Sequence, residues 1–495
     1  MRVLLVNSNR SCDLMPAAPI GLSYVAKATR EAGHDVRFLD LFPARHPHDD
    51  LRRSVREFRP QVTGISVRNI DNVVRQRLQE YLGELASQIT IVREESRRSC
   101  PDGTTVVLGG PAVSILRSAT LEHLDADVAV CGEGERSFPA LLSALENGRN
   151  PDEVPGLCYR SSGTIHATPS LPVRRAGPSG MQNWIDWPAY ERHGATWPIQ
   201  TKRGCSMPCS YCTYPVIEGS AHRGRPAVEV VEEMEEVMRR VAPRTIEIVD
   251  STFNVPAEHA ILVCEEIIRR GLKVHLTAMG INPSQVSLEL FGVMKRAGFN
   301  SMMITPEAAN ETMLRSLRKG FSLEHVQRSA RLSRESKLHS IWFFMLGGPG
   351  ETRETVEETI SFIERELASR RCLVVVFTGI RILPGTELAR EAIDRGHIPA
   401  GTDLSRPVFY QSPLVGETSI LDRINIAIGR CPNIVHAAEE LQKGYASIVH
   451  RAFYLARVAP PFWRFLPYFI WLAPVRSRRR RRPTVGTAPH SQTLS

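Results

Sequence analysis

The sequence predicts an α/β chain of two unlike parts: an N-terminal doubly wound parallel sheet, then a partial (β/α)6 barrel, followed by a small and mostly helical C-terminal region. Three observations carry this. Short apolar runs alternate with amphipathic stretches through residues 1–150, the order that builds a parallel sheet with helices on both faces. Six further strand–helix repeats run through residues 199–395. Between them, residues 151–198 are rich in Pro, Gly, Ser and Trp without a sustained period, as a linker is.

In the first part, strands are expected at residues 3–6, 36–41, 62–67, 106–108 and 128–130, and a helix over 20–32 stops at Gly33. Ligands of such sheets lie beyond the carboxyl ends of the strands. The residues there are small or polar: Asn7, Ser8 and Asn9; Ser66, Arg68 and Asn69; Gly109, Gly110 and Pro111; Gly132, Glu133, Gly134 and Glu135. Glycine at a strand end lets the backbone approach a bulky ligand. No G-x-G-x-x-G follows the first strand, which argues against a dinucleotide. His34 reads as an exposed residue at a helix end. Trp184, Trp187 and Trp197 in the linker read as packing residues at the domain interface.

The barrel strands centre on residues 200–202, 246–249, 274–278, 302–304, 342–346 and 374–377, with helices such as 227–241 and 257–270 between them. Cys205, Cys209 and Cys212 directly follow the first of these strands, at the end where barrel chemistry lies. Three thiolates in one loop suit a cubane [4Fe-4S] cluster with one iron left open. A structural zinc site wants four ligands, and no second Cys-x-x-Cys or paired histidine supplies the fourth. Asp250 and Ser251 stand after the second strand and Glu307 after the fourth. Gly347-Gly348-Pro349-Gly350-Glu351 follows the fifth, and Ile382-Leu383-Pro384-Gly385 the sixth. Singly, each also reads as helix-start or turn chemistry. Their fall at consecutive strand ends behind a cysteine loop favours a site.

The C-x3-C-x2-C spacing, with Tyr211 just before the last cysteine, resembles the signature of radical S-adenosylmethionine (SAM) enzymes. Pro19-Ile20-Gly21, Glu31-Ala32-Gly33-His34, Leu108-Gly109-Gly110-Pro111 and Gly132-Glu133-Gly134-Glu135, in that order, resemble the cobalamin-binding domain ahead of many radical SAM cores. The resemblance spans roughly residues 1–395. It implies a [4Fe-4S] cluster on Cys205, Cys209 and Cys212. It implies SAM against Tyr211, Asp250, Ser251, Glu307, Gly348, Pro349, Ile382 and Pro384. Cobalamin is implied against Asn7, Ser8, Ser66, Arg68, Asn69, Gly109, Gly110, Gly132 and Glu133. Asp250-Ser251-Thr252-Phe253 departs from the Gly-Gly-Glu of many members, and no Asp-x-His-x-x-Gly is present to place a histidine on cobalt. The implied activity is C-methylation of an unactivated carbon in a small-molecule, natural-product or lipid substrate. A 5′-deoxyadenosyl radical would abstract a hydrogen atom from that carbon, giving 5′-deoxyadenosine, and cobalamin would carry the methyl group to the resulting substrate radical. Cyclisation or rearrangement without methyl gain is the alternative within the family, and a non-catalytic redox or cofactor-sensing protein the alternative outside it. An external electron donor of the flavodoxin or ferredoxin type is implied as partner.

Hydrophobic content of 42% and charged content of 23% are those of a soluble globular protein. The scattered remaining cysteines form no disulfide framework and the N-terminus is a strand, so a cytoplasmic location is expected. The net charge of +9 is misleading, because Arg476 and residues 478–482 supply six positive charges in one tail. Nucleic acid is not expected as a partner. Residues 396–457 read as a helical cap over the barrel. Residues 458–495 hold Phe462, Trp463, Phe465, Tyr468, Phe469 and Trp471 ahead of the arginines, in a stretch shorter than the ~20 residues that span a bilayer. They read either as a helix packed on the domain with a solvated tail, or as an interfacial anchor at the inner face of the membrane.

Overall fold

A computed structural model describes residues 1–12, 15–100, 103–438 and 443–472. The N-terminal sheet takes β1 (Arg2–Asn7), β2 (Asp35–Asp40), β3 (Val62–Ser66), β4 (Thr105–Gly109), β5 (Val128–Val130), β6 (Leu157–Ser161) and β7 (Thr164–Ala167) in the order β2-β1-β3-β4-β5-β6-β7. The first five in that order pair in parallel. Val3, Leu4, Leu5 and Val6 are at most 1% exposed, because helices cover both faces and both alternating sides of this interior strand are apolar. Val3 and Leu5 join one core, Leu4 and Val6 the other. Each such buried side chain contributes about 1.5–3 kcal/mol.

The presumed linker is more structured than its composition implies. Its hairpin of β6 and β7 extends the first sheet antiparallel, because Leu157, Cys158 and Tyr159 find the open edge of β5. Trp184 stacks on Phe38 at 5.7 Å, while Trp187 and Trp197 are buried in the second core. His34 is not exposed as expected: it is 9% exposed and lies 3.3 Å from the chain's amino group.

The second half adds β8 (Trp197–Ile199), β9 (Lys202–Arg203), β10 (Arg223–Gly224), β11 (Thr245–Ile248), β12 (His275–Ile281), β13 (Phe299–Glu307), β14 (His339–Leu346), β15 (Cys372–Thr378), β16 (Ile380–Arg381), β17 (Phe409–Tyr410) and β18 (Ile434–His436). Seven of these form a parallel sheet ordered β18-β15-β14-β13-β12-β11-β8. Two readings are corrected. The first strand is residues 197–199 rather than 200–202, since Trp197 and Ile199 bury while Lys202 and Arg203 peel off into a two-stranded ribbon with β10. The region read as a helical cap contributes β18, a three-residue strand too short to stand out, beside the helix Glu417–Arg430.

The sheet's two faces alternate as period-two strands must. Ile341, Leu373 and Val375 face one way, against Trp463 and Leu466 from the C-terminal segment. Trp342, Val374 and Val376 face the helices. Phe462 and Trp463 are thus buried against the domain, while Phe469 is 51% exposed. Among the described residues no helix is long and apolar enough to cross a membrane. Arg476 and residues 478–482 lie outside the described residues.

Candidate functional site

The cysteine loop leaves the ribbon at Gly204, whose φ of +85° and closeness to the Ala221 carbonyl oxygen (2.1 Å from where a Cβ would stand) leave room for glycine alone. Backbone bonds then fix the loop. Cys205 N–H donates to Gly219 O (3.1 Å), Ser210 N–H to Leu317 O (3.1 Å), and Leu388 N–H to Ser210 O (2.8 Å). The Gly204 carbonyl accepts from the Ser251 hydroxyl at 3.0 Å, and His222 Nδ1 lies 3.1 Å from it.

All three cysteines are free thiols. Burial pushes Cys205 up and Cys212 up to about 12, and the neighbouring thiols add to the rise. Thiolates at these positions therefore need a compensating cation, which a ferric/ferrous cluster provides. Lys319 lowers both thiols against that burial. Among the described residues no three histidine, cysteine or carboxylate side chains converge on a single-ion site. A cubane spreads its sulfur ligands over separate irons. The donor set fits a cluster.

Across from this loop lies a cavity of about 560 Å³ between the carboxyl ends of the two sheets. Asn7, Ser66, Arg68, Asn69, Gly109, Gly110, Gly132 and Glu133 line it from the first sheet, as their strand-end positions require. Thr196, Gln200, Thr213, Tyr214, Glu247 and Met279 line it from the second half. Gly110 has φ +102°, and a Cβ there would stand 2.7 Å from the Val67 carbonyl oxygen, so the rim stays low where a flat ligand would rest. No histidine is among the lining residues. A broad cavity walled by strand ends fits cobalamin.

Several expected contacts are otherwise occupied. Ser8 does not line the cavity; its hydroxyl donates to Ser66 O at 2.6 Å and ties β1 to β3. Asn7 donates to Asp40 at 2.8 Å and lies 3.2 Å from the Tyr190 hydroxyl. Glu133 sits at the rim, but its carboxylate is gripped by Arg223 at 2.8 Å and Arg203 at 3.3 Å. Asp250, expected to face a SAM ammonium, instead accepts from the Thr201 N–H (2.7 Å), the Thr201 hydroxyl (2.5 Å) and Lys202 Nζ (3.2 Å). Both ends of the Lys202–Asp250 pair are fully buried, so it braces the cluster strand.

The remaining strand ends converge on the segment after the helix Glu311–Ser316. Glu307 is buried with φ +67°, a left-handed conformation that a non-glycine residue holds only where its surroundings impose it. Tyr211 hydrogen-bonds Glu307 and accepts from Lys319 Nζ at 2.9 Å, and Lys319 stands 3.8 Å from Glu307. Burial raises Glu307, with Lys319 and Tyr211 opposing. The Gly347 and Gly348 N–H groups, which a ligand was expected to use, both donate to Glu351. Pro349 O accepts from Ser316 at 2.6 Å, so that turn supports the segment carrying Lys319. Ile382 donates its N–H to Val408 O at 2.9 Å, and Leu383 of that turn lines the cavity.

Lys319, Arg203, Arg223 and Glu247 were not singled out from sequence. Glu247 is 4% exposed, accepts from Thr196 at 2.6 Å through one oxygen and leaves the other unpartnered; burial pushes it up to about 7. Its signal was an acid inside the apolar run Ile246–Val249.

Family models match in the order the fold implies: the B12 binding domain over residues 12–142 and the Radical SAM superfamily over residues 199–363. An uncharacterized methyltransferase of Pyrococcus horikoshii is 26% identical over 352 residues, covering 70% of this chain and 73% of the relative. The hopanoid C-3 methylase of Methylococcus capsulatus is 29% identical, over 62% of this chain and 56% of its own. The structure of the radical SAM methyltransferase TsrM from Kitasatospora setae, with cobalamin and a [4Fe-4S] cluster bound, superposes with a TM-score of 0.79 at 22% identity, covering 97% of this chain and 99% of that one. With a B12-binding sheet ahead of a radical SAM core, this chain belongs to the cobalamin-dependent radical SAM enzymes.

Proposed function

We propose that this enzyme transfers a methyl group from SAM to a carbon of a small-molecule substrate, using a cluster on Cys205, Cys209 and Cys212 and cobalamin in the cavity between the sheets. The supporting observation is that one cavity spans the carboxyl ends of both sheets and reaches Thr213 and Tyr214, the residues next to Cys212, so a ligand of the first sheet would lie beside the cysteine loop. When bound, the cluster supplies the electron that splits SAM, and cobalamin carries the methyl group.

The chain's own residues hold and shield these groups. The three cysteines would hold the cluster's irons, on a loop that the Gly204 turn starts. Tyr211, Lys319 and Glu307 form a buried polar set beside the cysteines, suited to the zwitterionic end of SAM. Arg68, exposed in the cavity, presents a cation to the first sheet's ligand. Met15, Ile70, Val249 and Met279 give an apolar wall that keeps water from a radical. Glu247, pushed up to about 7 by burial, stands in that wall with its carboxyl shared between protonated and charged forms near neutral pH. Reduction needs an external low-potential donor of the flavodoxin or ferredoxin type. Contact of the arginine tail with anionic membrane is a subsidiary part of this reading, tested by liposome co-sedimentation with and without residues 473–495.

The deciding experiment feeds deuteromethyl methionine to the native host and to a deletion strain. A metabolite carrying one intact deuteromethyl group, present only in the host, is expected. Loss of a ring-closed metabolite with no label lost or gained would replace methylation by cyclisation.

A further inference from the structure

The two halves meet through a buried set of four charges. Glu133 and Glu135 stand just past β5, at the carboxyl edge of the cobalamin-side sheet. Arg203 and Arg223 stand opposite each other in the ribbon of β9 and β10, one residue ahead of the Gly204 turn that launches the cysteine loop. Arg223 grips Glu133 with both terminal nitrogens, each at 2.8 Å. Arg203 bridges Glu133 at 3.3 Å and Glu135 at 2.6 Å, and its guanidinium lies 4.5 Å over the ring of Tyr24. The side chains are between 6% and 16% exposed. Arg223 also reaches the carbonyls of Val173 and Glu218. Glu218 in turn accepts from the Gly204 N–H at 3.1 Å, so the chain of bonds runs unbroken from β5 to the cluster turn.

A buried ion pair adds little net stability over an apolar contact, but each member has few alternative partners once water is excluded, so it fixes register. Bidentate arginine–carboxylate geometry adds orientation to that.

We propose that Glu133 and Glu135 are positioning residues: with Arg203 and Arg223 they clamp the cobalamin-side strand ends to the cluster ribbon and set the separation and orientation of the two cofactors. This rests on the two-cofactor reading above. It reassigns Glu133 from contact with cobalamin to control of where cobalamin stands relative to the cluster.

The test uses full-length holoenzyme loaded with iron, sulfide and cobalamin, in wild type, Glu133→Gln, Arg223→Met, Arg223→Lys and Glu135→Gln. Two readouts are taken: the magnetic coupling between reduced cluster and cob(II)alamin by EPR, which needs no turnover, and single-turnover release of S-adenosylhomocysteine. Glu133→Gln and Arg223→Met are expected to keep both cofactors, to show altered coupling, and to slow release by about a hundredfold, the scale of a 1 Å misplacement. Arg223→Lys, which keeps the charge without the fork, should fall between. Unchanged coupling and rate in Glu133→Gln and Arg223→Met would overturn the clamp, as would cobalamin loss confined to Glu133→Gln. If those two fail to fold, Arg223→Lys and Glu135→Gln decide by the same readouts. Wild type that couples the two spins yet releases no S-adenosylhomocysteine would remove the methyl-transfer reading and leave the clamp standing.

Discussion

Glu247 ties residue chemistry to pH. Burial pushes it up from 4.5 to about 7, so between those values the unfolded chain loses this proton while the folded chain keeps it. Stability from this group is therefore greatest below pH 4.5 and falls as pH rises to about 7, by up to ~3 kcal/mol at ~1.4 kcal/mol per unit. Glu247→Gln should match wild type in urea midpoint at acid pH and exceed it at about pH 8, where the carboxylate would be charged. Glu351, also pushed up to about 7, gives both proteins the same slope and cancels. A wild-type advantage at about pH 8 would contradict this. Residues of this kind were only half legible. An acid among Ile246, Ile248 and Val249 announces an unusual face, but what lies opposite is decided by a second sheet remote in sequence. Lys319 meets Tyr211 across 108 positions, and nothing local to Arg318-Lys319-Gly320 marks that meeting.

At the scale of elements, the cluster loop depends on its first turn. Gly204→Ala forces a left-handed alanine, about 1–2 kcal/mol, and a 2.1 Å contact with backbone that has no flexible end to yield. Reconstituted Gly204→Ala should carry under about one iron per chain where wild type carries about four, by iron and sulfide assay. Near-full loading would show that the loop closes some other way. The loop itself was plain in sequence because cysteine spacing is local. Strand boundaries beside it were less so: residues 200–202 carry Lys202 and lead into Arg203, and the burial that extended the apolar segment back to Trp197 comes from Trp187 and the helical layer. The hairpin of β6 and β7 escaped notice because Gly, Pro and Ser dominate its surroundings, while its pairing partner is an edge strand already assigned elsewhere.

At the scale of the molecule, the halves are latched at a second point. Arg381 and Asp71 pair at 2.8 Å with side chains 3% and 1% exposed, joining the loop after β3 to β16. Asp71→Ala leaves a buried guanidinium without its carboxylate, and roughly 3 kcal/mol of stability should be lost by chemical denaturation. Loss below about 0.5 kcal/mol would mean that the carbonyls of Leu404 and Ile382 suffice for Arg381. Trp463 fills the sheet's second face with Met303, Ile341 and Leu373, so Trp463→Ala should cost about 3–5 kcal/mol, measured the same way. A cost below about 1 kcal/mol would return that segment to the surface role its aromatic content first allowed. The alternation of strand and helix made both sheets legible; their mutual placement was not, because it rests on side chains such as Glu133, Arg223, Asp71 and Arg381 whose partners lie in the other half.

Cluster and cobalamin are proposed to work side by side at the carboxyl ends of the two sheets. The most direct test is anaerobic incubation of cobalamin-loaded, cluster-reconstituted protein with reductant and deuteromethyl SAM, followed by mass spectrometry of the extracted cobalamin. Labelled methyl is expected on cobalamin in step with S-adenosylhomocysteine release, falling when the cavity's Arg68 is replaced by alanine. Unlabelled cobalamin from protein that holds its full iron, sulfide and corrinoid would contradict it.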